Sequence, residues 1–524
     1  MTEGNRLAQE RGIDGSEPGS VFLGALWPAR PDSAGTIVLG LARALWLALA
    51  MYALFSFFFQ GLPSVVPHHG PISVVIALCM AGFIASQREL IGVCARRCAA
   101  RVESYSTSTW IVGCLLAGSM LRLFIGLSFP SELFSDPAAY WELTERLARD
   151  GIYSIAGTRS YWPPGFPFFL FVPVAMFGPE PWIPVALNVL LYVGTSVLAF
   201  RLAERLAGKV AGRLVVLILA LWPNLVLTSA GPHKELFVMF LVTAAMLSYL
   251  VAADCSHAGT TRWISTFACG LCLGLSALTQ PSTLFLGFVF LVHELTVAQG
   301  QFGKAFWRLM SVGLIAAMSV LPWTARNYVV HGELVPINTA GGVNFYSANN
   351  PNASGGWIPD DLYIDDSLRG AGELHQSRVG YERGVRWINE NKAEFLKLMI
   401  YKHSRYLCCD SFGAFWLWEH PGSTVDRNPV LGKVAGWLSD AFWLLLWLIV
   451  IFGAATWKRV PVVQPSLALL LSLPVLYSLA VHGIYQSEGK HHIWVAALLA
   501  TIVAAALSPG NKETAGGGAL RGAA

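Results

Sequence analysis

The sequence predicts an all-α polytopic membrane protein with about twelve transmembrane helices. Three observations support this class. The 524 residues are 54% hydrophobic and only 13% charged, which is unlike a soluble globular domain. The apolar residues are grouped into segments close to the length of a membrane span. Basic residues are concentrated in alternate connections between these segments, as expected when those connections face the cytoplasm.

The apolar segments follow one another along most of the chain. Segment 166–178 is an exception, because it is only half a span long and contains Pro167 and Pro173. We therefore predict an interfacial or re-entrant element there, buried against the bundle. Spans are predicted near 36–59, 71–87, 109–128, 182–200, 213–228, 236–254, 263–278, 281–296, 309–325, 434–454, 463–481 and 493–508.

The charge pattern predicts the orientation. Basic pairs such as Arg96 and Arg97, or Arg201 and Arg205, follow even-numbered spans, whereas the connection 61–70 has no basic residue. The positive-inside rule then places both termini in the cytoplasm. The net charge of +4 is small, and no patch suited to nucleic acid is present.

These assignments divide the chain into six regions. The longest polar connections lie on the predicted outer face. The regions are a disordered cytoplasmic tail (1–35), an accessory transmembrane hairpin with a basic loop (36–108), a catalytic transmembrane core (109–325) with first outer loop 129–181, an outer cap segment (326–431), C-terminal transmembrane helices (432–508) and a cytoplasmic tail (509–524).

Asp136 is the first candidate for chemistry. It follows a predicted span and precedes Pro137, and Tyr140, Leu143 and Leu147 continue an apolar stripe at helical spacing. The pattern predicts a short amphipathic helix on the bilayer that begins at a carboxylate. Such an acid can act on a lipid head group. An aspartate there also commonly serves only to cap a helix.

Two further candidates are short outer turns. His233, Lys234 and Glu235 lie at the ends of two spans. We assign His233 and Lys234 to substrate or phosphate binding, although such a turn can simply mark the membrane boundary. Arg326, next to Asn327, ends another span, and a guanidinium fork matches two phosphate oxygens. An arginine beside Trp and Tyr is also typical of the aromatic belt.

Other cations lie on the same predicted face. Lys402, Arg405, Lys490 and His491 are found where the charge rule disfavours them, and a phosphate-bearing ligand would explain their presence. Solvated surface charge is the simpler alternative. The loop around Asn344 is rich in amides and glycines, which suits a sugar or head group as well as a plain turn.

Several motifs together carry a family resemblance. They are Ser-Asp-Pro-Ala-Ala-Tyr at 135–140, Pro-Pro-Gly at 163–165, the acid Glu235, Gly-Leu-Ser-Ala-Leu-Thr-Gln-Pro at 274–281 and Pro-Trp-Thr-Ala-Arg-Asn-Tyr at 322–328. In this order, over about 109–507, the chain resembles bacterial members of the dolichyl-phosphate-mannose-protein mannosyltransferase and aminoarabinose-transferase group.

The resemblance implies a C-type glycosyltransferase membrane fold and a sugar donor carried on polyprenyl phosphate. It implies that Asp136 is the essential carboxylate and Glu235 a second acid, with Arg326 and Lys490 as phosphate partners. The chain departs from many relatives because Pro137 follows Asp136 where they have paired acids, and because His491 follows Lys490 where they have Arg-Tyr.

We therefore predict a glycosyltransferase that moves a hexose or pentose to a hydroxyl of a protein, lipid or glycan. The reaction would occur at the outer face of the bacterial plasma membrane, with Asp136 as the base. Tyr140, Pro163, Pro164 and Asn344 are assigned to the donor or acceptor loops. Arginine and lysine could suffice for a donor with one phosphate, so no cofactor is assigned, although Asp136, Glu235 and His233 make a divalent metal possible. The alternatives are a transporter or lipid flippase, and a polymerase or ligase that uses a diphosphate-linked donor.

Overall fold

The computed structural model describes residues 33–61, 70–131, 133–254, 259–297, 302–419, 429–456 and 464–508. Within these ranges the protein is helical, and the one β-type pairing is an isolated bridge between Ile155 and Thr158. The predicted all-α class is confirmed. The C-terminal tail and nearly all of the N-terminal tail lie outside the described residues.

The first half of the described chain contains nine helices. In order they are α1 (Ser33–Gly61), α2 (Gly70–Ser86), α3 (Arg88–Glu103), α4 (Thr107–Ser128), α5 (Ser135–Asp150), α6 (Gly165–Phe177), α7 (Trp182–Leu221), α8 (Pro223–Thr228) and α9 (Lys234–Ala253).

The second half contains the remaining helices and a seven-residue 3₁₀ turn, Gly489–Val495. The helices are α10 (Gly259–Thr279), α11 (Phe288–Val297), α12 (Phe302–His331), α13 (Gly341–Ser347), α14 (Glu373–Glu390), α15 (Lys392–Leu407), α16 (Phe412–Ala414), α17 (Pro429–Thr456), α18 (Pro465–Ile484) and α19 (Ala496–Leu507).

Nine helical segments of the described chain are long and apolar enough to cross a membrane, or ten if α2 and α3, which are bent by 63°, form one span. The chain is thus a multi-pass membrane protein. The prediction of about twelve spans is larger because it counts the shorter segment Pro281–Thr296 and divides α7 into two.

Helix α7 is 40 residues long and is interrupted at Ala207 and Gly208. Gly208 has a φ of +85°, which favours glycine. A Cβ atom on Gly212 would lie 2.7 Å from the ring of Phe200, whereas residues twelve apart in a straight helix are about 18 Å apart. The two arms therefore fold back on each other, and they correspond to the predicted spans 182–200 and 213–228.

Two other helices differ in length from typical spans. Helix α6 has 13 residues, contains Pro173 and packs against α5 and α10, in agreement with the predicted short element at 166–178. Helix α12 continues past the predicted end at 325 to His331. Arg326 and Asn327 therefore belong to a helix.

The centre of the bundle is strongly apolar, and 83% of the span that ends in α19 is buried. Ionisable side chains are nevertheless buried within spans, and Arg122 is an example. Arg122 of α4 is 2% exposed and donates to the backbone oxygens of Leu219 and Ala220. These carbonyls lie at the C-terminal end of α7, where the helix dipole is negative. Ionisable residues are therefore not confined to the ends of the spans.

Candidate active site

Helix α5 places Asp136 in its first turn, followed by Pro137. The face that contains Tyr140 and Leu143 is buried, while the Asp136 side chain keeps 32% of its surface exposed. Proline suits the first turn because the backbone N–H that it lacks would have no helical partner there. The predicted amphipathic helix is present, and its acid is accessible.

The 3₁₀ turn before α19 brings Lys490 to this acid. Glu488 precedes the turn, and its backbone N–H donates to Nδ1 of His491 at 2.9 Å. Lys490 Nζ then lies 3.5 Å from Oδ2 of Asp136, with 16% of the lysine side chain exposed. This distance is at the long limit for a hydrogen bond, so the two charges attract each other without a tight contact.

The start of α9 adds two more charges. Lys234 Nζ donates to the hydroxyl of Tyr140 at 2.9 Å and lies 5.0 Å from the centre of its ring. Glu235 is 5% exposed and lies near enough to act electrostatically on Tyr140 and Lys490. We call Asp136, Tyr140, Lys234, Glu235 and Lys490 the charged cluster.

The charges in the cluster, together with burial, determine the protonation states of Asp136 and Tyr140. Burial acts to raise the pKa of Asp136, but Lys490 and Lys234 outweigh it, and the pKa lies below its ordinary value. Asp136 is therefore ionised at neutral pH. Burial raises the pKa of Tyr140 well above its usual value, and the charges of Asp136 and Glu235 raise it further. Tyr140 therefore stays protonated.

His233 is close to the cluster but is packed against aromatic rings. It is 3% exposed, and its ring meets those of Phe412 and Trp416 edge-on at 5.4 and 5.3 Å. Burial, reinforced by the charge of Lys490, lowers its pKa to about 3. His233 is neutral at physiological pH, so it cannot provide a positive charge to a phosphate.

The Pro-Pro-Gly segment forms the wall behind Tyr140. The rings of Trp162 and Phe166 contact Tyr140 edge-on at 5.4 and 5.8 Å. Pro163 and Pro164 are buried, and the Pro163 carbonyl accepts a hydrogen bond of 3.0 Å from Tyr153. These prolines support the site from behind, whereas Asn344 is exposed on α13.

Arg326 has a different environment from the one expected of a phosphate partner. Its terminal nitrogens donate to the backbone oxygens of Arg159 and Tyr153 at 2.8 and 3.2 Å and to the Ser160 hydroxyl at 2.8 Å. Asn327 is fully buried and accepts from that hydroxyl at 2.8 Å. We call Arg326, Asn327 and Ser160 the arginine clamp, because they join α12 to the first outer loop.

Lys402 and Arg405 of α15 are also separate from the charged cluster. Lys402 is fully buried, and its Nζ donates to the Asn349 side chain and the Ile484 carbonyl, each at 2.9 Å. Burial lowers its pKa to about 7. The guanidinium of Arg405 lies so close to Gly356 that a Cβ atom there would be 2.9 Å from it.

The structure thus brings together five of the predicted residues, which are Asp136, Tyr140, Lys234, Glu235 and Lys490. His491 lies beside them but stacks on His482, with ring centres 4.4 Å apart, and it shapes the turn. Among the residues that the structure describes, no group of three or more His, Cys, Asp or Glu side chains could hold a metal ion.

Sequence reasoning assigned no role to Tyr161 or Asp410, and it did not predict a contact between Asp410 and His492. Tyr161 is close enough to Asp136 to be influenced by its charge, and its pKa is raised to about 12 by burial and by the carboxylates of Asp360 and Asp136. Asp410 and His492 contact each other at 2.8 Å although 82 residues separate them. No local pattern could have indicated that contact.

Solved structures share part of this architecture. One is ArnT from Cupriavidus metallidurans bound to undecaprenyl phosphate, which is 14% identical over 76% of this chain and 78% of that one, with a TM-score of 0.41. Another is the archaeal oligosaccharyltransferase AglB from Archaeoglobus fulgidus, in complex with an inhibitory peptide and a dolichol-phosphate. It is 12% identical over 76% of this chain and 50% of that one, with a TM-score of 0.46.

Both similarities are in fold, at low sequence identity. No family model matches the chain, and no curated protein matches it in sequence.

Proposed function

We propose that this protein transfers a sugar from a polyprenyl-phosphate donor to an acceptor hydroxyl at the outer face of the bacterial plasma membrane. The observation that carries the proposal is the meeting of Asp136 and Lys490 at 3.5 Å in a partly exposed site. A carboxylate and an ammonium are the two groups that such a transfer needs, one for the proton and one for the phosphate.

The reaction is a single displacement. The acceptor hydroxyl attacks the anomeric carbon while Asp136 accepts its proton. The bond between that carbon and the phosphate oxygen breaks, and its electron pair leaves with the polyprenyl phosphate. Lys490 and Lys234 stabilise the departing phosphate. The configuration at the sugar carbon is inverted, because attack and departure occur on opposite faces.

The contact between Lys490 and Asp136 gives the donor a second role. In the free protein the lysines lower the pKa of Asp136 and so weaken it as a base. The phosphodiester of a bound donor also carries a negative charge, so it competes with the carboxylate for Lys490 and weakens the hold of Lys490 on Asp136. Asp136 then regains basicity in the presence of the donor, which couples donor binding to activation of the acceptor.

The other members of the cluster have supporting roles. Glu235 helps to keep Lys490 at the site through its charge. The protonated Tyr140 accepts a hydrogen bond from Lys234 and can still donate its own proton to a substrate oxygen. Arg326, Asn327 and Lys402 are omitted from the proposed site because they are engaged with protein acceptors, and His233 is omitted because it is neutral.

The direct test is Asp136→Asn, assayed for transfer of labelled sugar from polyprenyl phosphate in membranes. Removal of a general base should reduce the rate on the order of 10²- to 10⁴-fold. Glu142→Gln is the matched control, since Glu142 is on the same helix but is paired with Arg146. Undiminished transfer by Asp136→Asn at a normal protein level would refute the proposal.

The predicted side of the membrane has its own test. A cysteine that replaces Glu142 on α5 should react with a membrane-impermeant maleimide added to the outside of intact cells or spheroplasts. Reaction only after the membrane is opened would place α5 in the cytoplasm. An outer active site would then be wrong.

A transporter or flippase is the second candidate, and the buried Arg122 within α4 is the observation that favours it. Its guanidinium, however, is occupied by backbone carbonyls. Uptake of a labelled solute into proteoliposomes without sugar transfer would support this candidate. Competition between monophosphate and diphosphate lipids would separate the proposed transferase from a polymerase or ligase.

A further inference from the structure

A buried hydrogen-bond network lies behind Lys490. Asp410 follows α15 and is 1% exposed. Its Oδ2 accepts from the indole of Trp222 and its Oδ1 from the amide of Asn224, both at 2.5 Å. Oδ1 also lies 2.8 Å from Nε2 of His492. We call Asp410, His492, Trp222 and Asn224 the buried node.

The orientation of His492 is determined by its neighbours. Its Nδ1 lies 2.7 Å from the Tyr406 carbonyl oxygen, which can only accept, so this nitrogen carries a proton. Its ring stacks on Trp443, with centres 4.2 Å apart and planes 10° apart. The imidazole is thus held between a carbonyl, a carboxylate and an indole and cannot rotate freely.

The node is joined to Lys490 by a short and rigid piece of chain. His492 lies two residues after Lys490 in the same 3₁₀ turn. A Cβ atom on Gly489 would lie 2.7 Å from the backbone oxygen of Cys409. The turn is therefore in direct contact with the chain segment that contains Asp410. On its other side, Glu488 accepts a hydrogen bond of 3.2 Å from the backbone of Trp357.

Asp410 and His492 do not reach the reacting groups. Each is 1% exposed, and both carboxylate oxygens of Asp410 are engaged inside the protein. They are therefore suited to act through Lys490. We propose that Asp410 and His492 are positioning residues that hold the Lys490 ammonium opposite Asp136. The part of this inference that concerns catalysis depends on the proposed function.

The first experiment does not depend on catalysis. The rate at which an acylating reagent modifies Lys490 is measured by mass spectrometry in the full-length protein. Asp136 protects the ammonium by holding it, so Asp136→Asn should raise this rate, and His492→Asn should raise it several-fold as well. His293→Asn is the matched control, because His293 is another buried histidine with a backbone carbonyl partner. An unchanged Lys490 rate in His492→Asn overturns the inference.

The second experiment is a double-mutant cycle on sugar transfer. His492→Asn should lower kcat about 10- to 100-fold when Lys490 is present and have little further effect in Lys490→Gln, because residues that act through one another are not additive. A merely structural role would give additive losses, and that result contradicts the inference. If the wild-type protein shows no transfer, the proposed function fails while the labelling experiment still decides the placement of Lys490.

A folding control accompanies both experiments. Removal of the imidazole leaves the buried Asp410 carboxylate with one partner fewer, so the melting temperature of His492→Asn in detergent should fall, and both experiments are performed well below it. If this variant does not fold, Asp410→Asn replaces it, since it keeps the side-chain shape and removes the charge that faces the imidazole. The same rise in Lys490 labelling is expected, and its absence again contradicts the inference.

Discussion

The charged cluster and the arginine clamp contain positive side chains that the sequence assigned to the same task, and the structure separates them. In the cluster, Lys490 meets Asp136 at the long limit of a hydrogen bond and both remain partly exposed. In the clamp, Arg326 donates to backbone and side-chain oxygens of the first outer loop. The first arrangement can take up a ligand, whereas the second already has its partners within the protein.

The difference shows what to look for in a membrane-protein site. A cation whose hydrogen bonds are made within the protein stabilises the fold, and a phosphate would have to displace those bonds to bind it. A cation held mainly by a loosely placed carboxylate can move to a phosphate at little cost. Accessibility and unused hydrogen-bonding capacity therefore identify the site better than charge does.

The largest expected effect within this comparison comes from Lys490→Gln. Loss of the cation that stabilises the departing phosphate should lower kcat/KM on the order of 10²- to 10³-fold. The measurement is steady-state transfer with purified protein. Lys397→Gln is the control, because Lys397 is exposed on α15 and pairs with Glu394. A loss of less than about threefold would place the phosphate elsewhere.

The second prediction concerns pH. Burial raises the pKa of Asp136, and Lys490 is the largest influence that lowers it. In the Lys490→Gln variant, Lys234 is the main remaining charge that counteracts the effect of burial on Asp136. The pKa of Asp136 should therefore rise. The acid limb of the kcat/KM profile should therefore move to higher pH in this variant than in the wild type. Identical acid limbs would show that Asp136 is not the titrating base.

Arg326→Lys tests the other half of the comparison. Lysine cannot reproduce the contacts of the guanidinium, so the free energy of unfolding should fall by about 1–3 kcal/mol. Transfer by the remaining folded protein should stay within about threefold of the wild type. Thermal unfolding in detergent and transfer per folded molecule are measured together. A loss of transfer as large as that of Lys490→Gln would show that Arg326 belongs to the active site.

The smallest expected effect is that of Tyr140→Phe. It removes the hydroxyl that accepts from Lys234 but keeps the ring that packs on Trp162. The loss of one hydrogen bond of about 0.5–1.5 kcal/mol should reduce kcat/KM roughly 2- to 12-fold. A much larger loss, measured at an unchanged melting temperature, would assign proton transfer to the phenol.

Much of the architecture could be predicted from local patterns. The length of apolar segments predicted the spans, and the alternation of basic loops predicted that α7 must reverse direction between 200 and 213. The stripe from Tyr140 to Leu147 predicted α5 with Asp136 at its start. These features depend on short stretches of chain, in which hydrophobicity and helical periodicity act directly.

The composition of the site depended on contacts that no local pattern encodes. Asp136 and Lys490 are 354 residues apart in the chain and meet because the fold brings the first turn of α5 next to the turn before α19. From the sequence alone, Arg326, Lys402 and Lys490 were equivalent candidates for phosphate binding, because each lies on the predicted outer face. Only the folded chain shows which hydrogen-bond donors already have acceptors, since that is a property of neighbours in space.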